Sequence, residues 1–199
     1  MKKTLFWGIA AASLPLAYVA WYRPWQLRWG ATDEELARPM PGDADVPVPS
    51  FDATRSVTIN APPQAIYPWI VQIGVTRAGW YSYDLLDNLA RPSARQLLPE
   101  HQQIYPGQVI PMSPDGQYGV YVKEFRPNEW ILWNDREGDT TWAWGLYPLG
   151  ENATRLVTRI RIKYRWNSPA AFFNLLIELG DFFMMRKCLL GIKERAESL

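Results

Sequence analysis

The chain is short of the residues from which several chemistries are built. Its single cysteine, Cys188, leaves no internal disulfide to form, and its single histidine, His101, leaves no zinc-type set of soft ligands. A net charge of +1 is too small a basic surplus for a general nucleic-acid binder. Glycine-rich phosphate loops are absent, and Ser82 has no nucleophile-elbow context. Neither a metal nor a cofactor is expected. At 199 residues, with no internal repeat, the sequence reads as one domain with an appendage.

Aromatic residues are plentiful instead. Eleven Trp and ten Tyr suit a large aromatic-lined core or pocket, or a membrane-facing surface. After Met1-Lys2-Lys3 no charge occurs from Thr4 to Tyr22, close to the ~20 apolar residues that cross a bilayer. Trp21, Tyr22 and Trp25, with Arg23, border that run as aromatic and cationic residues border membrane interfaces. A cleaved signal peptide is the alternative, but bulky Tyr18 stands where a small residue should precede Ala20. Residues 1–25 therefore read as a retained transmembrane anchor. Lys2 and Lys3, opposed by Arg23 and Arg28, favour an extracytoplasmic domain.

Residues 26–53 read as an extended Pro-rich arm. Thr32 and Glu35 form a capping-box pattern, and the prolines from Pro39 to Pro49 forbid a long helix or central strand. The domain proper, 54–199, opens with an alternating strand, Thr54–Asn60. Pro62-Pro63 then starts a helix whose buried face is Ile66, Trp69, Ile70 and Ile73, and Gly74 stops it. The loop Arg77–Asp84 packs three aromatics and two opposite charges together, and Ser82 is expected to cap a short helix from Tyr83 to Leu89.

Turn chemistry divides the next segment into strands at 108–112, 118–125, 130–134, 140–147 and 154–166. In the last strand Leu156, Thr158, Ile160, Ile162, Tyr164 and Trp166 share a dry face. Arg155, Arg159, Arg161, Lys163 and Arg165 share the opposite one. That basic face is expected either to be solvated and paired with carboxylates on neighbouring strands, or to lie on anionic lipid. Ser168-Pro169 should start a long helix reaching about Glu197, with Asn174, Glu178 and Asp181 on its narrow polar side. Gly180 and Gly191 within it call for close approach of backbone or ligand.

The strand followed by the Ala61-Pro62-Pro63 helix, then Gln72-Ile73-Gly74, Arg77–Asp84 and Leu86-Asp87-Asn88, resembles a bacterial, membrane-anchored branch of the START/polyketide-cyclase superfamily (SRPBCC, Bet v 1-like). Leu98-Pro99-Glu100, Pro106-Gly107-Gln108, 141–144 and 154–161 extend the resemblance, as does the arm segment from Trp29 to Asp43. It implies an α+β helix-grip fold: a curved antiparallel sheet wrapped around a long C-terminal helix, with a cavity between them. It also implies a docked arm, and a hydrophobic small molecule or lipid as partner.

Candidate ligand contacts are Arg77, Trp80, Tyr81, Tyr83, Tyr118, Trp142 and Trp144, with Arg77 and Tyr81 or Tyr83 orienting the ligand. Arg77 has a structural alternative, a salt bridge to Asp84. If the domain is instead a cyclase- or dehydratase-like enzyme, Asp84 or Glu100 is the candidate base and Tyr83 the donor to a developing enolate. Asp84 and Asp87 lie on one side of the short helix, a spacing also common on ordinary surfaces. A third reading is a non-catalytic module that docks a membrane partner through its basic strand face or apolar helix.

Overall fold

Proline and glycine punctuation sets the frame, and the computed structural model describes residues 18–164 and 170–198 of it, leaving aside the side chains of 170–177 and 179. A π-helical turn at Tyr18–Tyr22 runs into α1 (Arg23–Leu27). A second short helix, α2 (Asp33–Ala37), starts at the expected capping box: Thr32 Oγ1 accepts from the Glu35 N–H, and Glu35 Oε2 accepts from the Thr32 N–H. Strand β1 spans Phe51–Ile59, beginning earlier than the expected Thr54.

Helix α3 (Pro63–Val71) starts at the proline pair and buries Ile66, Trp69 and Ile70. The short α4 (Asp84–Asp87) follows the aromatic loop. Its expected Ser82 cap does not form. Tyr83 is the N-cap, and the Asp87 carboxylate accepts from the Tyr83 N–H instead.

Five strands complete the sheet: β2 (Val109–Pro111), β3 (Gly119–Arg126), β4 (Trp130–Asn134), β5 (Thr140–Pro148) and β6 (Thr154–Ile162). All pairings are antiparallel, in the order β1-β6-β5-β4-β3-β2. Helix α5 (Ala170–Ala196) lies in the curve of that sheet. Met185, Cys188, Leu189, Ile192 and Ala196 of α5 join Ile66, Trp69 and Ile70 of α3 and the inner sheet face in one core. This is the helix-grip architecture. The Ser168-Pro169 helix start and the expected strand residues 165–166 lie outside the described residues, as does most of the Thr4–Tyr22 run. Among the described residues no helix is long and apolar enough to cross a membrane.

The basic face of β6 is neither solvated nor free for lipid. The arm lies across it. Both carboxylate oxygens of Glu35 accept from Arg155, at 2.7 and 2.8 Å, and Arg155 also donates to Ser56 Oγ and the Gly30 carbonyl. Arg159 donates to the Asp43 carboxylate at 2.7 Å and to the carbonyls of Glu35, Leu36 and Arg38. A cation thus sits where the C-terminal carbonyls of α2 lack partners. Arg161 pairs with Asp43 and Asp52. Most of the carboxylates expected on neighbouring strands therefore come from the arm.

Candidate functional site

An open cleft separates the inner face of the sheet from α5. Its narrow lobe, about 230 Å³, is lined by Trp80, Ser82, Leu86, Asp87, Met112, Trp142, Asp181, Met184, Met185 and Cys188. A wider lobe of about 490 Å³ continues past Met112, Trp142 and Asp181 toward Tyr118, Val120, Tyr121 and Ile160. Together these fall within the size range of small-molecule sites.

The aromatic wall is built from four tryptophans. Trp142 on β5 is opposite Trp133 on β4 and Ile160 on β6. The Trp80 ring stacks on Trp142 at 5.5 Å, and Trp142 stacks on Trp144 at 5.3 Å. Trp133 meets Trp80, Trp142 and Trp144 edge-on. The Trp142 indole N–H donates to Thr158 Oγ1 at 2.8 Å, which fixes the ring at the cleft floor.

A buried scaffold aims the loop that carries Trp80 and Ser82. Tyr81 adopts a φ of 53° and turns into the core, where its hydroxyl donates to the Trp69 carbonyl and accepts from Gln72 Nε2. The Arg195 guanidinium lies over the Tyr81 ring at 4.4 Å. Gln72 is fully buried and also accepts from the Leu98 N–H and from Gln102 Nε2. On the other side, the Asn88 side-chain oxygen accepts from the Trp80 N–H, and Asp84 in turn holds Asn88 and the Ser93 N–H. With Tyr81 pinned inward, its neighbours Trp80 and Ser82 are left to line the cleft.

The polar groups of the narrow lobe are mostly acidic. Burial pushes the Asp87 carboxyl above the usual carboxylate range; its hydrogen bond from the Tyr83 N–H pulls the other way, and Asp84 adds to the rise. Asp87 Oδ1 and Ser82 Oγ are buried without a partner. Burial also raises Asp181, although Arg55, itself almost wholly buried, pairs with it at 2.7 Å. Burial pushes the Cys188 thiol up, so it stays protonated and unreactive.

The expected ligand contacts separate into two groups. Trp80 and Trp142 line the cleft, and Trp144 stands behind Trp142 with no exposure. Tyr118 lies 70% exposed on the wide lobe, and Tyr83 is exposed next to α4. Arg77 and Tyr81 do not line the cleft. Arg77 donates to the Val71 and His101 carbonyls, closing the end of α3, and makes no salt bridge to Asp84. Burial holds its pKa down.

Asp84 is occupied with Asn88 and Ser93, and Glu100 lies in the exposed 3₁₀ turn Pro99–His101. Met112, Asp181, Met184, Met185 and Cys188 line the cleft without a signal in the sequence, since on their own elements they read as core or polar helix positions. Asp87 had only its spacing from Asp84. Among the described residues no group of His, Cys, Asp or Glu is placed to hold a metal.

No protein-family model matches the chain, and no curated protein matches it. Among solved structures it is similar to the Polyketide_cyc-like protein Cgl2372 from Corynebacterium glutamicum, at 17% identity and a TM-score of 0.46, over 71% of this chain and 88% of that one. It is similar to the KanY protein (ms6282) at 17% and 0.47, over 73% and 97%. A START superfamily protein from Mycobacterium smegmatis gives 14% and 0.44, over 74% and 97%. The architecture described above rests on this chain's own strand register and helix packing.

Proposed function

We propose that this chain is a membrane-tethered domain, on the extracytoplasmic side, that binds or carries a hydrophobic small molecule or lipid in the cleft between sheet and α5. The observation that carries the reading is the cleft itself: an aromatic floor of stacked Trp80 and Trp142 facing Met184, Met185 and Cys188 across open space. Water in such a space makes few hydrogen bonds, and each methylene that replaces it gains about 0.8 kcal/mol.

The tether reading has support of its own. The cleft lip carries exposed Leu86 and Met184, with exposed Phe183 beside them on α5. Phe183 packs on Phe182, and Phe182 packs on Trp25 at 5.0 Å, next to exposed Trp21 and Val19. Apolar packing through buried Phe182 thus joins the lip to the end of the uncharged N-terminal run, as suits a lip held near lipid.

The test is uptake of an apolar fluorophore, N-phenyl-1-naphthylamine, by the full chain in lipid nanodiscs, against empty nanodiscs as the blank. Energy transfer from tryptophan should exceed the blank and saturate at one site. Met184→Asp, which puts a charge on an exposed lip position, should weaken uptake about tenfold without loss of fold. Transfer no greater than the blank would refute the reading.

A further inference from the structure

Helix α4 carries apolar side chains that the fold does not bury. Leu85, Leu86 and Leu89, on and just past this short helix, are 75%, 70% and 50% exposed. A single exposed leucine is ordinary, but three within five positions make a patch. Leu89 and Ala90 also hold φ angles of 54° and 62°, a region that favours glycine or asparagine. The chain thus keeps a leucine where it strains the backbone and gains little burial. Burial of that leucine in a bound state accounts for the choice.

The surroundings say what binds. Leu86 shares the cleft lip with exposed Met184 of α5, and exposed Phe183 stands beside Met184. Arg186 and Lys187, both exposed, lie one helical turn further on, next to Phe183 and Met184. Arg91, also exposed, follows Leu89 by two positions. The acids of α4 are turned to the chain's own donors: Asp84 holds Asn88 and the Ser93 N–H, and Asp87 accepts from the Tyr83 N–H. Apolar side chains bordered by cations suit a bilayer with anionic lipid, leucines among the acyl chains and cations at the headgroups. The uncharged Thr4–Tyr22 run ends close by, since Tyr22 and Trp25 pack on Phe182, the neighbour of Phe183.

We infer that Leu85, Leu86 and Leu89, with Phe183 and Met184 of α5, dock into an anionic lipid bilayer, with Arg91, Arg186 and Lys187 at its headgroups. Because Leu86 and Met184 also line the cleft, docking sets the cleft mouth against the bilayer. The inference rests on the tether proposed above and not on what fills the cleft.

The test puts the fluorophore NBD on Leu85→Cys or, as control, on Glu151→Cys. Glu151 lies in the β5–β6 turn near Thr154, which donates to the Ala61 carbonyl. The adjacent Asn60 N–H donates to Glu197, about 20 Å along α5 from Phe183. The unsubstituted chain, whose one cysteine is buried, gives the labelling blank. Each full chain goes into nanodiscs of phosphatidylcholine, with or without phosphatidylglycerol, doped with a nitroxide lipid that quenches NBD on contact. The label at 85 should be quenched about threefold more than the label at 151, and more again with phosphatidylglycerol present. Lys187→Glu should remove that last gain. Quenching indifferent to phosphatidylglycerol would overturn the role of the cations. A chain that stays with the nanodisc but is quenched equally at 85 and 151 would overturn the docking and leave the tether intact. A label at 85 shielded from water yet unquenched would overturn it too, as a contact with protein. A chain that elutes apart from the nanodisc would overturn both.

Discussion

Two glycines of α5 show how single residues set the site. At Gly191 an added Cβ would sit 2.2 Å from the Tyr81 carbonyl oxygen, so only glycine lets the loop backbone lie against the helix. That contact belongs to the same scaffold that turns Tyr81 inward and leaves Trp80 and Ser82 on the cleft. At Gly180 an added Cβ meets nothing within 4 Å. Gly191→Ala should therefore lower stability by about 2 kcal/mol or more, as a backbone clash that no rotamer relieves. Gly180→Ala should raise it by about 0.5–1 kcal/mol through helix propensity. Urea unfolding of both variants checks the pair, and equal effects would contradict the close approach. The sequence signalled that both glycines needed a reason. Only the fold separates them, because Tyr81 reaches Gly191 from more than a hundred positions away in the chain. Ser82 is hidden in the same way: read locally it is a cap, whereas in the structure it lies beside the cleft with its Oγ buried.

Elements were legible where the signal is local. The proline pair opening α3, the Thr32–Glu35 box of α2 and the turns between strands each depend on a few neighbouring residues, and the β4 bounds follow from them. The basic face of β6 was legible as a face but not as an interface, since what covers it comes from Glu35 and Asp43 far upstream. That interface makes the arm pH-sensitive at low pH. Burial tends to raise Glu35, but hydrogen bonds from Arg155, the Thr32 N–H and Ser56 outweigh it and hold Glu35 below the usual carboxylate range. A carboxylate depressed in the folded state stabilises it above the unfolded value, about 4.3, and that contribution fades as pH falls through the folded-state value. Glu35→Gln should cost about 2 kcal/mol at neutral pH. In urea midpoints followed downward from pH 6, its deficit should shrink once the pH falls below the unfolded carboxylate value, about 4.3. A deficit independent of pH would mean that packing, not charge, holds the arm.

At the scale of the whole molecule, β1 at one edge and the N-terminal helix are joined to α5 by two ion pairs, Arg55–Asp181 and Arg23–Glu178, both 2.7 Å long and both with a nearly buried member. These links fix one side of α5 to the sheet and to the N-terminal segment. The same helix lines the cleft with Asp181, Met184, Met185 and Cys188, across from Trp80 and Trp142. The strands and the long apolar final helix were readable from turn spacing and pattern, while their helix-grip arrangement was what the family resemblance implied. Which aromatics would floor the cleft was not readable, because stacking of Trp80 on Trp142 joins a loop to a strand that no local pattern connects. Whether this space holds an apolar molecule is decided by native mass spectrometry of the full chain purified from its own host, with extraction and identification of what is bound. One apolar molecule per chain is the expected result. A chain that arrives empty, and takes up nothing from a lipid extract of the same host, would contradict it.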